Sequence, residues 1–225
     1  MKIMSIAIRT TIVTIVLTGI VYPYAMTGLA QVLFPWRANG SLVTDEKGQV
    51  VGSELIAQAF VNPAYLQPRP SAAGDKGYDP TSSGGSNLGT TSKKLQDRVA
   101  GDVKRLQQQN PSASGPVPVE LVTTSGSGLD PHLSPEGALW QVPRIAKARG
   151  LAPERVKAVV EANVEDRTLG ILGEPRVNVL LVNLALDRLF GKATPLPPAP
   201  EKNEPAKEAA PAQQSAAPSA PAEAK

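Results

Sequence analysis

The stretch SGSGLDPHLSPEGALWQV, Ser125 to Val142, holds the only histidine of the chain, His132, with Asp130, Ser134 and Glu136 close by. Acid, base and hydroxyl in so short a span raise three chemistries. A serine nucleophile needs an imidazole base, an orienting carboxylate and oxyanion donors converging in space, and groups two residues apart on one extended turn rarely converge. A metal centre needs at least three ligands, and His132 has only Asp130 and Glu136 beside it, with no second histidine and no cysteine in the chain. The third reading is structural. SPEGA sets Ser134 as a helix N-cap, Pro135 at the first helical position and Glu136 against the positive helix end, with Asp130-Pro131 making the preceding turn. An enzyme built on Asp130, His132 and Ser134 would lose function on His132→Ala without losing its assembly.

Two glycine-rich loops offer a different chemistry. SGSG, with Ser127, and SGGSNLG, with Ser86, Asn87 and Gly89, expose backbone N–H groups of the kind that hold anions at helix starts. Neither carries the Gly-Lys-Ser/Thr signature of a phosphate-binding loop. RPSAAG adds Arg69, Pro70 and Ser71, and Arg69 is a candidate to hold an anion. These loops define one functional alternative, an exported or membrane-anchored ligand-binding domain using the Arg69 and Asn87 loops.

The elements that must position these residues follow from patterning. From Thr10 to Trp36 the chain carries no charge, long enough for a transmembrane helix, with Lys2 and Arg9 before it and Tyr22, Tyr24 and Trp36 toward its far end. The basic start predicts a cytoplasmic N-terminus (1–9), a span (10–36) and an extracytoplasmic domain (37–190). A cleaved signal peptide, with GLA before Gln31 and Pro23 breaking the apolar run, is the competing reading. Beyond the span, SLVTDEKGQVVGSELIAQAF predicts a hairpin leading into a helix capped by Ser53, with Glu54 in its first turn. The Pro, Gly and Ser-rich region from Val61 to Gly89 reads as a linker or as an ordered functional loop carrying Tyr65 and Tyr78. Leu95, Val99, Val103 and Leu106 recur at helical spacing from Thr91 to Gln109. VPVELVTTS reads as a strand, Ser134 to Arg149 and Pro153 to Glu165 as helices, and RVNVLLVNLALDRLF as a core helix. Pro143 should kink the first of those helices or tighten the turn before it. The segment 191–225, rich in Ala, Pro, Glu and Lys, reads as a disordered tail.

The fold class expected is α+β, a mixed helix and small-sheet domain behind one membrane helix. Net charge is only +3 over 225 residues, with Lys and Arg interspersed among Asp and Glu, which argues against a nucleic-acid surface. Without cysteine, disulfide frameworks, thiolate nucleophiles and zinc-thiolate sites are excluded together.

Several longer motifs match a family. RPSAAG at Arg69–Gly74, SGGSNLG at Ser83–Gly89, TSGSGLDPHLSP at Thr124–Pro135, QVPRIAKARGL at Gln141–Leu151 and GEPRVNVLLVNLALD at Gly173–Asp187 lie in one order behind a single span. In this the chain resembles the C subunit of the Kdp-type potassium-transporting P-type ATPase, from the first helix to Phe190. The resemblance implies a non-catalytic subunit of an ATP-driven, high-affinity potassium uptake complex in the bacterial cell membrane. Its implied partners are a P-type ATPase catalytic subunit, a channel-like potassium-binding subunit and membrane lipid, with no nucleic acid. The aspartate-lysine-threonine-glycine phosphorylation motif of such pumps is absent from this chain. The family is also described as a catalytic chaperone that raises the ATP affinity of the pump subunit, through a glutamine proposed to contact nucleotide. Gln141 is the position that carries this over, so no cofactor is held tightly and ATP is expected only in a transient complex with the pump subunit. Arg69, Pro70, Ser71, Ser86, Asn87, Gly89, Ser127, Asp130 and His132 become docking candidates. The two implications pull apart, because a cytoplasmic N-terminus places Gln141 on the side of the membrane where ATP is scarce.

Overall fold

The computed structural model describes residues 2–45 and 47–194; of the disordered tail expected over 191–225, residues 195–225 lie outside the described residues, while Gly191 and Thr194 accept hydrogen bonds from Arg149 and Asn62 of the domain. A continuous helix runs over Lys2–Leu33, long and apolar enough to cross a membrane, with none of its apolar window buried against the rest of the chain. Its two α-helical parts, α1 (Lys2–Val16) and α2 (Tyr22–Leu33), flank a π-helical turn at Leu17–Val21. The Tyr22 N–H donates to the Leu17 carbonyl across that turn. Pro23 is therefore absorbed instead of breaking the helix: it has no N–H to offer Gly19, and the widened turn relieves its ring from the preceding backbone. After Phe34 a short helix, α3 (Pro35–Ala38), turns the chain, and the Trp36 indole N–H donates to the Leu42 carbonyl at 2.9 Å.

The hairpin forms as its sequence predicts, β1 (Leu42–Thr44) against β2 (Val50–Ser53), antiparallel, with Val43 opposite Gly52. The helix expected after it does not. The Ser53 hydroxyl donates to the Gly40 carbonyl at 2.7 Å and accepts from the Leu55 N–H, so it closes the hairpin instead of capping a helix. The Glu54 carbonyl accepts from Asn178, and the chain continues without regular structure to Ser92.

The amphipathic run forms α4 (Lys93–Gln109), with Leu106 buried and Val99 and Val103 packed at the core margin. The strand expected at VPVELVTTS is instead a 3₁₀ turn, Val119–Leu121. Leu121 and Val122 are both buried while Val119 is exposed, which is not the alternation of a strand. The turn aims the Glu120 carboxylate at Ser134, where it accepts from the backbone N–H and, at 2.6 Å, from the hydroxyl.

The remaining elements wrap a three-stranded antiparallel sheet in the order β3-β5-β4. β3 (His132–Leu133) and β4 (Val164–Glu165) flank β5 (Arg176–Asn178), with Leu133 and Val164 both opposite Val177. Ser134 caps α5 (Pro135–Trp140), accepting from the Gly137 N–H at 3.0 Å as the sequence predicts. One helix expected from Ser134 to Arg149 is two, because Pro143 lies in the first turn of α6 (Val142–Arg149) and cannot donate back to Leu139. Gly150, at φ 64°, ends α6. α7 (Pro153–Ala162) stops before Glu165, since Val164 and Glu165 leave the helix to pair with β5. α8 (Val179–Phe190) follows β5 directly. Leu66, Leu133, Ile145, Val156, Val160, Val177, Val182 and Leu186 are fully buried at the centre of the resulting α+β domain.

Candidate functional site

The irregular segment from Val61 to Gly89 is ordered, and side chains from α6 and α8 satisfy its backbone. Asn183 lies within the apolar run of α8, where its amide accepts from the Leu66 N–H at 2.7 Å and donates to the Leu66 carbonyl at 2.9 Å. Gln141, at the α5–α6 break, does the same for Gln67: its Oε1 accepts from the Gln67 N–H and its Nε2 donates to the Gln67 carbonyl, each at 3.0 Å. Arg144 donates to the Pro63 and Tyr65 carbonyls and, at 2.6 Å, to Gln141 Oε1. Arg149 donates to the Ala64 carbonyl, pairs with Asp187 at 2.8 Å and lies over the Tyr65 ring, whose hydroxyl donates to Asp187. Side-chain amides and guanidinium groups thus replace a neighbouring strand. An extended chain without a ladder partner would otherwise bury unpaired donors and acceptors.

Burial leaves its mark on the ionisation of these groups. Loss of solvent, with the nearby Arg105, pushes the Arg144 guanidinium down to about 10, so it stays charged at neutral pH. Burial likewise pushes the Tyr78 phenol up to about 12, keeping it neutral to donate to the Arg69 carbonyl at 2.9 Å. Burial and the Asp187 hydrogen bond raise Tyr65.

The motif residues gather in two places. Arg69 Nη1 pairs with Asp130 at 3.1 Å and its Nη2 donates to the Thr124 carbonyl, so its charge is matched within the protein. The Asp130 carboxylate also faces His132 Nδ1 at 3.6 Å and accepts from the His132 backbone N–H at 3.0 Å. The facing His132 imidazole, with the His132 backbone N–H and Arg69, holds the Asp130 carboxyl below its usual range against the opposing effect of burial. Ser134 does not join this pair, because its hydroxyl is engaged by Glu120 and the helix start. Among the described residues no group of three His, Cys, Asp or Glu is placed to hold a metal ion.

The loops themselves interlock. Ser71 Oγ accepts from the Ala73 and Tyr78 N–H groups. Ser86 accepts from the Thr124 hydroxyl, and the Ser127 carbonyl accepts from the Gly84 N–H at 2.8 Å and from the Ser83 hydroxyl. Gly128, at φ 67°, lies where a Cβ would meet the Gly84 carbonyl oxygen at 2.5 Å and the Ala73 nitrogen at 2.8 Å, so the glycine is what lets three loops touch. Asn87, at φ 49°, is exposed, and the Gly89 carbonyl accepts from the Ser92 N–H at the entrance to α4.

Gln141 is only 2% exposed, and both ends of its amide are engaged. It nevertheless lines a cleft of about 240 Å³ with Phe60, Pro70, Tyr78, Arg105 and Gln109. Tyr65, named from the sequence as part of a possible functional loop, shares the holding with residues given no functional role there: Gln67, Arg144, Arg149, Asn183 and Asp187. One signal was available, since Asn183 interrupts LLVNLAL at a position the helical pattern assigns to the core.

An apolar helix leading into a small α+β domain, whose polar side chains bind its own loops, defines a helix-tethered domain. The family model described as "K+-transporting ATPase, c chain" matches residues 4–188. The chain is 65% identical over 193 residues to the potassium-transporting ATPase KdpC subunit of Myxococcus xanthus, covering 86% of this chain and 90% of that protein. It is 59% identical to that of Methylobacterium nodulans, over 78% of this chain and 92% of the relative, and 58% identical to that of Rhodospirillum rubrum, over 77% and 89%. The chain belongs to the KdpC family, the C-chain subunits of the Kdp potassium-transporting ATPase.

Proposed function

We propose that the chain is a non-catalytic assembly subunit of an ATP-driven potassium uptake complex. In this reading Lys2–Leu33 spans the membrane with Lys2 and Arg9 toward the cytoplasm, and the α+β domain stands outside as a brace for the ATP-hydrolysing and channel-like subunits. The observation that carries the reading is the long unburied apolar helix, joined through only a short helix and a hairpin to the folded domain. Such a helix needs either lipid or partner helices around it. Thr10, Thr14, Thr18 and Gly19 give it small or hydroxylated positions for close helix approach, with the Thr18 hydroxyl turned back onto the Thr14 carbonyl at 2.8 Å.

The same arrangement explains a catalytic-chaperone effect without a nucleotide contact. A subunit that raises the pump's affinity for ATP acts here through helix packing in the membrane, because a Gln141 contact with ATP would require giving up the bonds to Gln67 and Arg144. The experiment is ATP hydrolysis by the purified complex, carrying either the whole chain or one whose residues 2–33 are replaced by an unrelated apolar span. Replacement should raise the KM for ATP while the domain stays folded. An unchanged KM, together with photo-crosslinking of an ATP analogue in the Gln141 cleft, would defeat this reading.

A further inference from the structure

Between β4 and β5 the chain projects a tight loop, Arg167 to Glu174, closed by mutual hydrogen bonds between Thr168 and Leu172 and by Gly170 N–H to the Arg167 carbonyl. At its tip Leu169 is 85% exposed, Ile171 75% and Leu172 57%. Other exposed aliphatic residues of the domain, such as Leu55, Val61 and Val119, are scattered singly, which is ordinary for a protein surface. Three within four residues are not. Leu169 is also held at φ 56°, a backbone region costly for leucine, so the knob keeps a defined shape at the expense of local strain. Its base is braced by two ion pairs, Arg167 with Glu174 and Arg176 with Glu165.

We infer that this Leu169–Ile171–Leu172 knob is a docking anchor for an uncharged apolar pocket on a partner subunit of the same complex, outside the membrane; the inference rests on the subunit reading above. The chemistry of the loop selects a protein pocket over a lipid surface. Segments that lie on membranes combine aliphatic residues with unpaired cations and interfacial aromatic rings. Here each arginine is matched by a glutamate of the same hairpin, and RTLGILGEPR contains no aromatic residue. An exposed aliphatic cluster rimmed by polar residues marks an interaction site, and a tip already held in one shape loses little conformational freedom on docking.

The test uses the tagged full-length chain, co-expressed with the other subunits and purified in detergent. Ile171→Asp should lower recovery of the identified partner subunits by about tenfold or more, as expected for excluding one buried aliphatic side chain. Leu169→Gly removes a side chain and also relieves the strain, so it should raise the unfolding temperature of the chain itself while lowering partner recovery. A photoreactive residue at position 171 should crosslink to a partner-subunit peptide. Full recovery with both variants, or crosslinks to phospholipid alone, would overturn the anchor while leaving the subunit reading intact. Failure of the wild-type chain to recover any partner subunit would remove the reading on which the anchor rests.

Discussion

Asn183 and Gln141 each engage both backbone hydrogen-bonding groups of one residue in the segment laid across them, Leu66 and Gln67. Asn183→Leu, which keeps the branching of the side chain, strands a buried donor and a buried acceptor, each costing about 1–3 kcal/mol, so urea unfolding should show a loss of about 2–6 kcal/mol. Asn87→Ala, exposed and outside this network, should cost only about 1 kcal/mol, from the left-handed backbone that Asn tolerates and Ala does not. Asp130 gives a pH signature. Its folded carboxyl titrates below the ordinary 3.8, so its contribution to stability is complete above that value and is lost as pH falls toward the lowered one. The unfolding temperature should therefore fall in acid, and less steeply for Asp130→Asn. At this cluster the N-cap role of Ser134 was legible in the sequence, because a cap is a local signal. The Arg69–Asp130 pair and the Glu120 contact to Ser134 were not, because their partners lie 61 and 14 positions away.

At the scale of elements, the helices came through because their signals are local. Ser134-Pro135-Glu136 begins α5 and Gly150 ends α6, as caps do in any context. The failures at Ser53 and VPVELVTTS share a cause. Both were local propensities whose polar groups were claimed by distant partners, Gly40 in one case and Ser134 in the other. The interlocked loops were legible only as glycine and serine richness, because what orders them is contact between segments far apart in the chain. Gly128 and Gly150 separate the two uses of glycine. Both have positive φ, but only Gly128 is packed against backbone atoms. Gly150→Ala should cost about 1 kcal/mol from the backbone conformation alone. Gly128→Ala should cost about 3 kcal/mol or more, since it adds an overlap that no side chain can relieve, and thermal unfolding of the two variants measures the difference.

At the scale of the molecule, family membership establishes a subunit of a potassium-transporting ATPase, and orientation decides what that subunit can touch. With the domain outside, Gln141 braces a loop and the pump is reached through the membrane helix. With the domain inside, the cleft beside Gln141 and Arg105 meets cytoplasmic ATP. The chain has no cysteine, so single cysteines report position without background. The decisive measurement is labelling of Ser114→Cys and Ser5→Cys, both exposed, by a membrane-impermeant maleimide on intact spheroplasts. With the domain outside, position 114 is labelled at once and position 5 only after permeabilisation. Labelling of position 5 alone in intact cells would place the domain beside the nucleotide and contradict the outward orientation.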